Sequence, residues 1–429
     1  MSDSPRRGSL LVVFLTVFID LLGFGIVLPL LPVYGKDFAQ TISESGGGLS
    51  VGAVIGLLMA SFSIMQFLVA PLWGRLSDRI GRRPVLMIGL GGSVVFYTLF
   101  GLATVWKSLT WLFLSRIGAG IAGATISTAQ AYIADTTGLE ARTKGMALVG
   151  AAFGLGFTFG PLLGFLAVPT DSGAPGPGPG YAAAGLSAFA FVLAWFKLPE
   201  SLSIENRLPR ARKLFDFQSL REALSVPSVG LLLASVFLCV VSFSNFESIL
   251  SVFIKDEQGY FRFSFKKLCL TFAYVGFVLT LVQGGIVRRL SGRIAEAHLA
   301  ACGALMEIVG LGMMILAGHS GSTFLLFAAL TIIVAGFALI TPSVNSLISR
   351  RSDPAKQGGI LGVTQSISAL ARIAGPLAGL TLFHLREPES TSWPLWLAIA
   401  LLGFGLFLIV LAGRSGRDFP AESSGSSPG

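Results

Sequence analysis

The sequence predicts an all-α polytopic membrane protein: twelve transmembrane helices in two pseudo-repeated six-helix bundles. Three observations carry that expectation. Only 12% of the 429 residues are charged, while 53% are hydrophobic. Soluble proteins carry about a quarter charged residues, so this chain has too few to hydrate a water-facing surface. The apolar residues also come in long uninterrupted blocks. About 20 such residues at 1.5 Å rise cross the hydrocarbon, and a helix satisfies its own backbone there. Finally, the chain repeats. Arg75-Leu76-Ser77 with Arg79-Ile80 recurs as Arg289-Leu290-Ser291 with Arg293-Ile294, and Gly160-Pro161-Leu162 with Gly164 recurs as Gly375-Pro376-Leu377 with Gly379, at nearly the same displacement.

The first half holds spans at 9–33, 49–73, 85–105, 108–134, 145–168 and 181–198, within a bundle of 1–198. The second holds 228–254, 264–287, 299–317, 322–348, 358–384 and 392–412, a bundle of 228–412. Between them lies a polar linker, 199–227, and after them a Ser/Gly/Pro tail, 413–429, expected to be disordered. Lys and Arg concentrate at both termini and in the even-numbered loops, which places both termini in the cytoplasm. The first apolar run is too long for the core of a cleavable signal peptide. Cys239, Cys269 and Cys302 fall on three separate spans without paired spacing and read as small core residues, with no metal site. The basic balance suits anionic lipid headgroups rather than nucleic acid.

The segment from Gly74 to Pro84 joins spans two and three. Gly74 and Gly81 permit a tight turn, Asp78 suits a helix N-terminus, and Arg79, Arg82 and Arg83 suit the headgroups. In the second half Gly292 replaces Asp78 and Ala295 replaces Gly81, so that copy is degenerate. Span five carries Gly156, Gly160, Pro161 and Gly164, a small-residue face for close helix packing with a proline that bends it. Span one reads Phe18-Ile19-Asp20 through Pro29, and span four carries Ser115-Arg116-Ile117-Gly118.

These segments resemble the major facilitator superfamily: its signature loop at 74–84, its antiporter helix motif in span five, and its tetracycline-efflux-like, twelve-span drug:proton antiporters along the whole chain. The resemblance implies the major facilitator fold, a gating role for the loop, and spans one, four, seven and ten around a central cavity. It implies no cofactor, the proton gradient supplying the energy.

Ionisable residues inside spans cost roughly 2.5–3.5 kcal/mol each at a helix centre, so a functional, inward-facing role is the default. They are Asp20, Arg116, Glu247, Arg372 and Glu307. The first four are the proton-coupling candidates, with fixed ion pairs (Asp20 with Arg116, Glu247 with Arg372) as the alternative. Glu307, on a span expected at the periphery, has no assigned role. Candidate ligand contacts are Phe18, Gln66, Phe157, Asn245, Gln283, Asn345 and Gln365. Gly118, Gly120 and Gly123 fit a dinucleotide fingerprint but follow no strand, and no phosphate-cradling Walker sequence is present. The expectation is a secondary transporter acting as a monomer in the cell membrane, exchanging protons for small organic or drug-like molecules. The rivals are a uniporter or symporter of a metabolite, and a multi-pass receptor or enzyme.

Overall fold

The computed structural model describes residues 7–35, 50–136, 139–168, 176–202, 221, 227–255, 261–290, 293–351, 357–384 and 392–415. Its first half comprises α1 (Arg7–Val27), α2 (Val51–Ile80), α3 (Arg82–Val105), α4 (Leu109–Gly123), α5 (Ile126–Thr136), α6 (Leu139–Ala167) and α7 (Gly178–Lys197). The second comprises α8 (Pro227–Lys255), α9 (Phe265–Leu281), α10 (Glu296–Ser320), α11 (Thr323–Arg350), α12 (Gln357–His384) and α13 (Trp393–Ser415). A π-helical turn, Val282–Val287, and a last turn, Arg288–Leu290, extend α9. Among the described residues, ten helices are long and apolar enough to cross a membrane. Two shorter apolar stretches, Val13–Val27 and Gly154–Ala167, lie in α1 and α6. Most of the linker, and the tail beyond Ser415, lie outside the described residues.

Two local expectations need correcting. The predicted loop from Gly74 to Pro84 is almost wholly helical. Span two runs on to Ile80, span three begins at Arg82, and the turn is Gly81 alone, at φ 108°. Gly74 sits inside α2 and makes no turn, because a single glycine costs a long helix only about 1 kcal/mol. Pro84 falls in the first turn of α3, where a missing N–H costs little. Span four, expected to be continuous, is broken at Ala124 and Thr125 into α4 and α5.

Hydrocarbon offers no hydrophobic drive for helices to associate, so close van der Waals approach has to supply it. In the first half, α1 lies on the small-residue face of α6. A side chain on Gly25 would meet the Gly156 carbonyl at 2.7 Å, and one on Gly160 would meet Gly25 Cα at 2.7 Å. The second half repeats this joint with different residues. There Gly375 of α12 packs against Ser244 and the Asn245 backbone of α8, with Gly379 against the Asn245 side chain. The fifth span of each half thus rests on the first span of the same half.

The halves meet along two seams: α2 with α12, and α6 with α9. Gly52 abuts the Leu380 carbonyl and His384, and Gly56 faces the Pro376 carbonyl. On the other seam Gly276 is pressed against the Phe157–Thr158 backbone, and the hydroxyls of Thr158 and Thr280 are hydrogen-bonded at 3.2 Å. Farther along, Gly164 faces Cys269, and Lys266 Nζ stands 5.2 Å from the Phe165 ring centre. α2 and α9 begin, and α6 and α12 end, on the side opposite the start of α1 and the end of α13. The seams are therefore shut from that far side to mid-depth. Toward the terminal side, the ion pairs given for the described residues stay within one half.

The two kinds of joint predict different mutant behaviour. Gly160→Leu overpacks a joint inside one half, typically a loss of about 1–3 kcal/mol, and should lower thermal stability without changing which side is open. Gly276→Leu overpacks the seam between halves and should raise the labelling of far-side cysteines. Solvent-accessibility labelling and melting of both variants in detergent check this, and identical effects of the two would contradict it.

Candidate functional site

Asp20 lies on α1, and its side chain falls outside the described residues. Arg116, on α4, is 2% exposed. Its guanidinium carbon stands 4.7 Å from the Phe62 ring centre and 5.8 Å from that of Phe24. The two rings lie 4.9 Å apart, and Phe157 meets Phe24 edge-on at 6.1 Å. Nε and Nη1 of Arg116 have no hydrogen-bond partner among the described residues. Stacked aromatic faces contribute about 2 kcal/mol to a desolvated cation, well short of the cost of burying it. The group is thus left wanting an acceptor. Phe24 and Phe62 were not among the sequence candidates. The available signals were the spacings, Phe24 four residues after Asp20 and Phe62 four before Gln66.

The break in span four leaves carbonyls that the helix no longer satisfies. Span two supplies donors: Gln66 Nε2 to the Gly123 carbonyl at 3.2 Å, and Trp73 Nε1 to that of Ile121 at 2.6 Å. Gln66 is therefore committed to the backbone here rather than to a cavity. Phe18 is half-buried and stacked on Phe14 at 5.9 Å.

In the second half Asn245 is fully buried, donating to the Pro394 carbonyl at 2.8 Å, so it ties α8 to α13 rather than facing a ligand. Glu247 is half-buried, whereas Arg372 and Gln365 on α12 are exposed. Among the described residues no ion pair joins Glu247 and Arg372. Asn345 and Gln283 are half-buried, the latter in the π-helical turn, a feature that recurs at functional sites. Glu307 is fully buried and neither carboxyl oxygen has a hydrogen-bond partner, while its backbone packs against Gly336 of α11.

The segment from Gly74 to Pro84 forms a cluster on the terminal side. Arg82 Nη1 donates to Asp78 Oδ1 at 2.5 Å and to Ser77 Oγ at 2.6 Å, and its Nε donates to Asp135 Oδ2 at 3.1 Å. The Glu200 carboxylate accepts from the backbone N–H groups of Arg82 and Arg83, at 2.9 and 3.3 Å. The acid at the N-terminus of α3 is thus Glu200, which follows span six, and not Asp78. Asp135 and Glu200 escaped the sequence reading because each meets the loop from far along the chain. The second half carries the same joint with its signs reversed. Glu296, at the start of α10, accepts two 2.9 Å bonds from Arg350 at the end of α11. Arg351 donates to the Ala412 carbonyl of α13 at 2.9 Å.

Removing one charge from the first cluster should be costly. Asp78→Asn replaces a charge-assisted bond of about 1.5–3 kcal/mol with a weaker one, and flux should fall tenfold or more while membrane insertion stays normal. Near-normal flux in vesicles would mean that the loop serves topology alone.

Residues 13–376 match the Major Facilitator Superfamily. The chain is 30% identical over 407 residues to the tetracycline resistance protein, class E, of Escherichia coli, covering 94% of this chain and 93% of that one. It is 31% identical over 461 residues to the human major facilitator superfamily domain-containing protein 10, covering 98% and 95%. The crystal structure of the human organic anion transporter MFSD10 (TETRAN) superposes with a TM-score of 0.70 at 27% identity, over 95% of this chain and all of that one. An inward-facing bacterial homolog of the human lysosomal transporter Spinster gives 0.73 at 15% identity, a likeness of fold. With its family match and its two helical halves joined along paired seams, this chain is a member of the Major Facilitator Superfamily, a multi-pass membrane transporter and not an enzyme.

Proposed function

We propose that this transporter is a proton-coupled exporter of small organic molecules that works by alternating access. The observation that carries the reading is the asymmetry of the seams. The halves are locked by Gly52, Gly56, Gly276 and the Thr158–Thr280 bond on the far side, while Arg372 and Gln365 are exposed on the helix that lines the other. With both termini in the cytoplasm of a cell membrane, as the distribution of Lys and Arg favours, this is the conformation open to the cytoplasm. The kinship with tetracycline resistance proteins supports export.

In this reading substrate enters from the cytoplasm, the terminal ends close over it, and the seams part. The proton path runs through the first half. Asp20 stands four residues before Phe24 in the sequence, and the Phe24 ring flanks Arg116, whose Nε and Nη1 have no hydrogen-bond partner among the described residues. Binding that favours the deprotonated acid releases the proton, which is the linkage an antiporter needs. Glu247 with Arg372 would serve the same purpose in the second half. Arg79, exposed at the end of α2, is placed to meet anionic headgroups, whereas Arg82 is buried in the cluster with Asp78 and Asp135; one chain holds the whole path, so a monomer suffices.

Asp20→Asn fixes the residue in a neutral form. Proton-driven accumulation in inverted vesicles should vanish while binding or downhill flux persists. Wild-type accumulation at the same imposed pH gradient would falsify Asp20 as the coupling carboxylate.

A further inference from the structure

The turn from α8 into α9, on the far side, carries a charge that topology does not ask for. Lys255, Arg262, Lys266 and Lys267 gather there, whereas no other far-side loop of the sequence holds more than one Lys or Arg. The acids of the same stretch are Asp256 and Glu257, which lie outside the described residues, so a positive surplus remains. Lys and Arg otherwise collect on the terminal side, and this dense group opposite them calls for a partner of its own. The group is held in place. Phe263 N–H donates to the Ile254 carbonyl at 2.8 Å, folding the chain back on the end of α8, and Arg262 before it has a positive φ of 44° and is exposed. Lys255 Nζ stands 4.0 Å from the Phe265 ring centre and Lys267 Nζ 5.6 Å from that of Phe263, while Lys266 reaches over Phe165 of α6. A ring beneath an ammonium steadies its stem and leaves N–H donors for a further partner.

An apolar strip runs down from these cations. Leu270, Phe277 and Leu281 of α9 are exposed, on the face that Lys266 and Lys267 begin by spacings of three, four and seven residues. Leu166 of α6 is 74% exposed beside them. The seam is shut at this depth, where Gly164 faces Cys269, so these side chains look out to hydrocarbon. Exposed Trp106 and Trp393, at the far ends of α3 and α13, mark the headgroup level at which α9 also begins.

We propose that the far end of the α6–α9 seam binds an anionic phospholipid of the far leaflet, its phosphate held by Lys266, Lys267 and Arg262 and an acyl chain lying along Leu270 and Phe277 against Leu166. The guanidinium fork matches phosphate oxygens, and the lysines add charge and donors. Phe165 and Leu166 belong to the first half and the cations to the second, so the lipid touches both. It therefore binds the far-closed conformation better than one in which this seam has parted, and shifts the population toward the former. The site needs neither substrate nor proton and stands apart from the exporter reading.

The test is quenching by lipids with brominated chains, on the full chain in vesicles carrying bimane at Leu166→Cys in a Cys302→Ser background. Brominated phosphatidylglycerol should quench at about a tenfold lower mole fraction than brominated phosphatidylcholine. Lys266→Gln with Lys267→Gln should bring the two lipids together, and Lys266→Arg with Lys267→Arg should keep them apart. Native Cys269, buried in the seam, reports its opening. With Cys302→Ser alone, a soluble maleimide should label Cys269 several-fold more slowly in phosphatidylglycerol than in phosphatidylcholine vesicles. Equal quenching by the two lipids, or a preference that survives the double Gln variant while it melts like the parent, overturns the site. Glycerol phosphate in solution that erases the preference assigns the cations to a soluble anion and overturns it as well. Equal labelling of Cys269 in both lipids overturns the tie to the seam.

Discussion

A peptide group in hydrocarbon has no solvent partner, and every other feature of this molecule follows from how it meets that condition. Each span closes its hydrogen bonds within itself, so the helices hold one another only by fitting closely. Where Gly25 meets Gly160, or Gly276 meets the backbone of Phe157, the absence of a side chain brings two helices into van der Waals contact that larger residues would prevent. The exceptions obey the same condition. Where span four breaks, its freed carbonyls are taken up by Gln66 and Trp73 from the neighbouring span.

Such contacts divide into two classes, and the division gives the protein its mechanics. Joints within a half are continued at the terminal surface by charged links: Arg82 to Asp78 and Asp135, and Arg350 to Glu296. Among the described residues, the seams between halves carry glycines, one threonine pair and a lysine over a ring. Surfaces of that kind separate without leaving a buried ion behind, which would cost several kcal/mol. The two halves reach the same terminal joint with opposite signs, a cation on span three and an anion on span nine. The repeat thus preserves a link between spans while exchanging the residues that make it.

Much of this was legible in the sequence and some was not, for identifiable reasons. Composition and block length announce a polytopic helical chain because the hydrocarbon sets one length for every span. The paired motifs at Gly160 and Gly375 announce the duplication, and the structure gives them the same joint. The turn between spans two and three was misjudged because Gly74 and Gly81 look alike in sequence, and only the latter takes a positive φ. The surroundings of Arg116 were hidden because its rings come from spans one and two. Asn245 and Gln66 read as ligands since an amide inside a span invites that reading, and both instead satisfy backbone carbonyls. Arg372 was a candidate from its charge alone, and its exposure follows from how α12 packs against its neighbours, which no local pattern encodes.

If the two halves move as rigid bodies that exchange contacts along these seams, pulsed electron spin resonance distances in lipid nanodiscs will register it. One label pair would span the far side, at Leu166 and Lys267, and one the terminal mouth, at Leu72 and Gly362, all exposed positions. Two populations are expected, shifting with pH and ligand, in which the far-side distance is short when the terminal distance is long, and the reverse. Distances that lengthen together, or a single unchanging pair of distances under all conditions, would contradict it.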